Sequence, residues 1–210
     1  MVEREQLVGR LRGGLVEMGL ALDDAIVERL VDYLQLLIKW NKAYNLTAVR
    51  DPLEMVGRHL LDSLAINPWL RGERVLDVGT GAGLPGIPLA ILNPRRQFTL
   101  LDSNGKKTRF VLQAASELGL SNVTVEHLRL ERYHPAQPFD TITSRAFSAL
   151  DEFVAGTRHL LAAGGALLAM KGKLLEEERR HPLLSTLSIE VVALQVPFTD
   201  GERHLFVIHP

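Results

Sequence analysis

Residues 75–86 read Val-Leu-Asp-Val-Gly-Thr-Gly-Ala-Gly-Leu-Pro-Gly, a short apolar run that passes through Asp77 into glycines at 79, 81, 83 and 86. Lacking a Cβ, glycine takes positive φ readily and lets a ligand approach the main chain. Several of them directly after a strand describe a turn that wraps a nucleoside. Gly81-Ala-Gly83-Leu-Pro-Gly86 also fits the G-x-G-x-x-G string of dinucleotide folds. Asp77, two residues before Gly79, separates the two readings. A pyrophosphate seeks bare N–H groups and is repelled by a nearby carboxylate, whereas a sulfonium with an ammonium group is attracted to one. The acid therefore points to S-adenosylmethionine, with a dinucleotide or a merely structural turn as the alternatives.

The 210 residues suffice for one doubly wound domain and a small appendage. With 46% hydrophobic and 23% charged residues the composition is that of a globular chain. There is no cysteine, which excludes disulfides, thiolate metal sites and a cysteine nucleophile and suits a reducing compartment. The N-terminus lacks an apolar signal region, and no stretch reaches the ~18 apolar residues of a membrane span. A cytoplasmic protein is the expectation. The seven histidines form no H-x-x-x-H or H-x-x-E pattern, so no metal site is expected. A net charge of −1 means that any nucleic-acid partner must be argued from local patches.

Helical spacing of apolar residues predicts helices over 3–18, 23–44 and 52–66, the last opened by Pro52 and closed by Pro68. Residues 1–70 are expected to form a helical cap on a methyltransferase domain of residues 71–210, with extra helices of the same domain as the alternative. From Arg74 the rhythm becomes that of βαβ units and a parallel sheet. Strands are expected at 74–78, 97–101, 122–126, 139–143, 165–170, 189–195 and 204–208, and helices at about 85–92, 105–118, 149–162 and 173–182. The last two strands are joined by Pro197-Phe-Thr-Asp-Gly201, too short for a crossover, and should pair antiparallel. The pattern is that of the α/β, Rossmann-like fold of class I S-adenosylmethionine-dependent methyltransferases, mostly parallel with an antiparallel C-terminal hairpin.

In such a sheet ligands gather at the carboxyl ends of the strands. Asp102, about 20 residues beyond the glycine turn, stands where an acid accepts bonds from ribose hydroxyls; its alternative role is a helix N-cap with Ser103. After the third strand, Leu130 and Glu131 could offer a main-chain edge and a carboxylate to an adenine amino group. The fourth strand leads into Ser144-Arg145, where the transfer chemistry should lie. No Asn/Asp-Pro-Pro-aromatic turn follows, which disfavours exocyclic amino acceptors, and methylation at C5 of a pyrimidine needs a thiolate that this chain lacks. What remains is a ring nitrogen with a free lone pair or an activated hydroxyl. For guanine N7 the protein need only align the reactants and exclude water. Arg145 could hold a phosphate, the cofactor's carboxylate or guanine O6, or simply pair with Asp140 or Asp151. Basic clusters at Lys42, Arg50 and Arg58-His59, at Lys106-Lys107-Thr-Arg109 and at Lys171-Gly-Lys173 are expected on one rim, holding phosphates. A solvated helix face is the plainer account of Lys106, Lys107 and Arg109. Trp40, Tyr44 and Phe147 are candidates for stacking on bases or for the core.

Trp40-Asn-Lys-Ala-Tyr-Asn45-Leu-Thr47, Arg58-His59-Leu-Leu-Asp62-Ser63, the glycine turn, Leu101-Asp-Ser-Asn-Gly-Lys106-Lys107, Ser144-Arg145-Ala146 and Met170-Lys171-Gly172 together resemble the bacterial 16S ribosomal RNA guanine-N7 methyltransferases, the glucose-inhibited division protein B family. The resemblance runs from about residue 35 to 172. It implies that S-adenosylmethionine lies against Gly79, Leu84, Leu130, Glu131 and Arg145, with Asp102, Ser103 and Asn104 beside it. It also implies an acceptor guanosine in the small ribosomal subunit. From the basic clusters, Arg58, His59, Lys106, Lys107, Arg109 and Lys171 are the residues expected to bind the RNA, and a monomer is expected. Leu128-Arg129-Leu130-Glu131 departs from the small residues the family often shows before its acid. A dinucleotide oxidoreductase and a non-catalytic RNA-binding module are the other classes to be separated.

Overall fold

Apolar side chains alternate along the strands after residue 74, and this alternation sends them to two opposite faces. Val75, Leu100 and Leu168 join one buried cluster, while their neighbours Leu76, Leu101 and Leu167 join the other. The computed structural model describes residues 2–145, 147, 149–172 and 182–209. Among these, the strands are β1 Arg74–Val78, β2 Gln97–Asp102, β3 Val123–His127, β4 Phe139–Ser144, β5 Leu161–Lys171, β6 Ser188–Ala193 and β7 His204–His209. They form a seven-stranded sheet in the order β3-β2-β1-β4-β5-β7-β6. The first five are parallel, and β7 runs antiparallel to both β5 and β6, the expected hairpin.

Eight α-helices are described: α1 Arg4–Glu17, α2 Asp24–Tyr44, α3 Pro52–Met55, α4 Asp62–Leu64, α5 Gly86–Leu92, α6 Gly105–Glu117, α7 Leu150–Thr157 and α8 Pro182–Ser185. Leu30, Leu34 and Leu37 of α2 share one buried cluster with Ile87 of α5 and Phe110 of α6. Apolar packing is thus continuous across residue 70.

Two elements differ from expectation. The helix expected over 52–66 is interrupted by a π-helical turn, Val56–Leu61, between α3 and α4, and Pro68 sits inside a 3-10 turn, Asn67–Trp69. A wide turn of this kind is a common feature of functional sites. Gly57 lies within it because a Cβ there would come within 2.8 Å of the Phe198 carbonyl and 2.9 Å of the Pro197 carbonyl. The second difference is β5, which begins at Leu161 rather than 165 and shortens the preceding helix to Thr157. Its pairing with β4 shifts register between Phe139 and Thr141, and Gly164 has φ +76°, so the early part of the strand carries a bulge. The helix expected at 173–182 lies outside the described residues apart from Pro182, which opens α8.

The strand order reverses between β1 and β4, and a crevice at their carboxyl ends follows from that topology. There the Ser144 hydroxyl donates to the Val78 carbonyl at 2.7 Å, tying β4 to β1 where the glycine turn begins.

Candidate functional site

The carboxylate of Asp77 is fully buried and holds the glycine turn together. Its Oδ2 accepts from the Thr80 hydroxyl at 2.6 Å and from the Gly86 N–H at 3.0 Å, and Oδ1 has no hydrogen-bond partner. Burial pushes its pKa up to about 6, against the opposing pull of the Thr80 and Gly86 bonds. The group that the sequence assigned to the sulfonium is thus turned inward, a correction that follows from the two donors that face it. A Cβ on Gly86 would overlap Leu100 and lie 2.9 Å from Asp77 Oδ2. Gly83 also faces inward, where a Cβ would come within 2.6 Å of Ile87, so its expected contact with a ligand gives way to a packing role. Gly79 and Gly81, at φ +69° and +61°, edge the crevice. From α2, the buried Tyr33 hydroxyl donates to the Ala82 carbonyl at 2.7 Å and fixes the middle of the turn.

One cavity of about 380 Å³ opens beside this turn. Leu101, Leu130 and Phe147 supply apolar walls, while Asp102, Ser103 and Glu131 supply polar groups. Asp102 is nearly buried and accepts from the Gly81 N–H through Oδ2 and the Asn104 N–H through Oδ1, both at 2.8 Å. Each carboxylate oxygen keeps a further lone pair. Asn104, rather than Asp102, caps α6, its Oδ1 accepting from Lys106 N–H at 3.0 Å. An apolar slot with a buried acid beside glycine N–H groups and an exposed acid at its rim suits a nucleoside, whose hydroxyl and amino groups are donors.

A smaller cavity of about 190 Å³ is lined by Gly79, Gly81, Leu84, Thr47, Lys107 and Arg145. A third, of about 390 Å³, is lined by Arg58, His59, Asp62, Lys171 and Arg203, and again by Arg145. Arg145 therefore stands at the junction of the two. Its Nη1 donates to the Arg58 carbonyl at 3.2 Å and to Asp62 Oδ2 at 3.1 Å. The pairing with Asp140 weighed from sequence gives way to Asp62, because Asp140 Oδ2 accepts the Glu73 and Arg74 N–H groups at 2.8 and 2.9 Å.

Of the expected basic rim, Arg58 and Lys171 share the third cavity, Lys107 lines the smaller one and Lys106 is exposed at the start of α6. Two members differ. His59 is buried, its Nε2 lies 2.9 Å from the Thr47 hydroxyl, and burial followed by the nearby Arg145 pushes its pKa down to about 4. It enters the site as a neutral ring, not as a cation. Arg109 bonds back to the Gly105 carbonyl at 3.0 Å and lines a separate groove with Leu112 and His127. Asp62, Arg203, His204 and Thr47 received no role from sequence. Asp62 stood in a motif without a visible partner, and Arg203, a lone base after the Gly201 turn, carries no spacing signal. Among the described residues, no group of three His, Asp or Glu side chains could hold a metal ion, and no helix is long and apolar enough to cross a membrane.

A sheet that reverses its order beside a glycine turn, carries an acid at the end of its second strand and closes with an antiparallel strand has the class I methyltransferase fold. The fold matches that of magnesium protoporphyrin IX methyltransferase from Synechocystis, solved with its S-adenosylmethionine, at a TM-score of 0.61 and 20% identity over 90% of this chain and 99% of that one. A methyltransferase from Aquifex aeolicus gives a TM-score of 0.58 at 17% identity, covering 81% of this chain and 96% of that one. The family model described as rRNA small subunit methyltransferase G matches residues 26–206, and the chain belongs to that family. Relatives named ribosomal RNA small subunit methyltransferase G are 52% identical in Alkalilimnicola ehrlichii, over 96% of this chain and 91% of that one, and 54% identical in Marinobacter nauticus, over 97% and 95%. Membership makes the chain an S-adenosylmethionine-dependent methyltransferase and sets aside the dinucleotide oxidoreductase and the non-catalytic module.

Proposed function

We propose that this protein transfers a methyl group from S-adenosylmethionine to N7 of one guanosine in 16S ribosomal RNA, acting as a cytoplasmic monomer on the small ribosomal subunit. The observation that carries the reading is the shared position of Arg145, which lines both the cavity at the glycine turn and the basic cavity beyond it. Donor and acceptor are thereby brought to two sides of one side chain. Bound S-adenosylmethionine supplies a sulfonium methyl group that a free lone pair can take without loss of a proton.

The chain's own residues bind, orient and exclude water. Gly79 and Gly81 let the donor approach the main chain, and Asp102 accepts from its ribose. Leu130 and Glu131 meet its adenine, and Leu84 and Arg145 border its methionine end, with Ser103 and Asn104 alongside. Asp77 and Gly83 serve the same site by shaping the turn. Arg58, Lys171 and Lys107 attract RNA phosphates, with Lys106 at the rim, and sequence-independent attraction of this kind positions a strand without reading it. Arg109 extends the basic surface along α6, and His59 holds Thr47 against the smaller cavity. No general base is required, because guanine N7 carries no proton to remove. Alignment of reactants in a desolvated site can supply roughly 7–11 kcal/mol of the barrier.

Methyl-labelled S-adenosylmethionine and small subunits from a strain lacking the enzyme test this directly. Label should appear in 16S RNA at a single guanosine as the N7-methyl base. Label on protein, or on another atom of the base, would reject the assignment.

A further inference from the structure

The basic cavity has an acid at its heart. Asp62 follows the π-helical turn that carries Arg58 and His59, and its side chain is only 6% exposed. Its Oδ2 lies 3.1 Å from Nη1 of Arg145, and its Oδ1 lies 3.4 Å from Nε of Arg203. The two arginines come from distant parts of the chain, one just after β4 and one just before β7. Their side chains remain 28% and 25% exposed, so each guanidinium is part buried against Asp62 and part open to the cavity they line together.

A buried carboxylate is costly unless paired, and here one carboxylate faces two guanidinium groups. The trio keeps a surplus positive charge, to which Arg58 and Lys171 on the same walls add. Guanidinium forks match the oxygens of phosphate bidentately, and a fork already held in place loses less freedom on binding. We propose that Asp62 is a positioning residue that anchors Arg145 and Arg203 as a paired clamp on one backbone phosphate of the acceptor RNA. The proposal rests on the reading that the acceptor is RNA. Asp62 acts through the arginines and touches neither reactant. Its Oδ1 takes part in no hydrogen bond, so Arg203 is held by charge and can adjust to the strand.

Binding of the full-length protein to small subunits lacking the modification, followed across salt concentrations, provides the test. Asp62→Asn keeps the shape and removes the charge. It should lower affinity at least ~10-fold at low salt and reduce the slope of log affinity against log salt by about one, the signature of a lost phosphate contact. S-adenosylhomocysteine affinity should fall by a clearly smaller factor than RNA affinity, since of the two arginines only Arg145 also borders the methionine end, and in Arg203→Ala it should stay within about threefold. An unchanged slope would overturn the proposal, as would a loss of cofactor affinity equal to the loss for RNA. Arg203→Ala carries the same test should Asp62→Asn not fold, and the slope must fall there too. In the double variant the two losses must not add, because one clamp is removed in both. Absence of methyl transfer by the wild-type protein would count against the function, whereas an unchanged slope in the variants counts against the anchor.

Discussion

Gly81 shows how a single position couples backbone to chemistry. Its N–H is bonded to Asp102, and its φ of +61° lies in the region that L side chains enter at a cost of roughly 1–2 kcal/mol. A Cβ there meets nothing nearer than 3.9 Å, so strain and charge, not crowding, decide the outcome of substitution. Gly81→Asp places a second carboxylate beside Asp102, and like charges about 4 Å apart repel by roughly 4 kcal/mol at a partly buried site. We expect at least ~100-fold weaker binding of S-adenosylhomocysteine by calorimetry, and unchanged affinity would refute the placement. His59 makes a different prediction. Its folded pKa of about 4 lies below the ordinary 6.5, so between these values the unfolded chain takes up a proton that the folded one refuses. Stability from this group is full above pH 6.5 and drains away as pH falls toward 4, by roughly 3 kcal/mol. Asp77 has the opposite sign, since its folded pKa of about 6 exceeds the ordinary 3.8 and its contribution is lost as pH rises through that window. Denaturant titrations at pH 7 and 5 should therefore show a shallower acid loss for His59→Gln than for wild type. Equal losses would show that the ring does not govern the acid limb.

At the scale of elements, α2 reaches over the sheet to brace the glycine turn through Tyr33. Tyr33→Phe leaves the Ala82 carbonyl buried without its donor, a loss of roughly 1–3 kcal/mol. The expected result is a folded protein with about tenfold weaker S-adenosylhomocysteine affinity, and wild-type affinity would mean that the turn holds itself. The strands were legible because short apolar runs, such as those within Arg74–Val78 and His204–His209, stand between helical stretches. What escaped was local departure from regularity. The π-helical turn preserves the apolar spacing around Val56 and Leu60 that suggests an ordinary helix, and the Pro197 and Phe198 carbonyls that leave no room for a side chain at Gly57 lie about 140 residues away in sequence. The start of β5 was hidden for a similar reason, since Gly164-Gly165 reads as a break and acts as a bulge.

Across the whole molecule, the ends of the strands collect groups that no spacing rule joins. The glycine turn and Asp102 declared themselves, because a motif packs its signal into adjacent residues. Asp62, Arg145 and Arg203 meet only through the topology, so sequence offers Asp140 and Asp151 as alternative partners for Arg145 and does not point to Asp62. Exposure was equally invisible from sequence, which is why His59 looked cationic and Asp77 looked open to the cofactor. A net charge of −1 conceals a cavity in which, among the described residues, Arg58, Arg145, Lys171 and Arg203 stand around Asp62. Arg145 lines both the cavity at the glycine turn and the basic cavity, and the proposed transfer depends on it. Single-turnover methyl transfer to saturating small subunits, at saturating S-adenosylmethionine, tests that most directly. Arg145→Ala should slow the transfer at least ~100-fold, the scale of misplaced reactants, and transfer at the wild-type rate would contradict it.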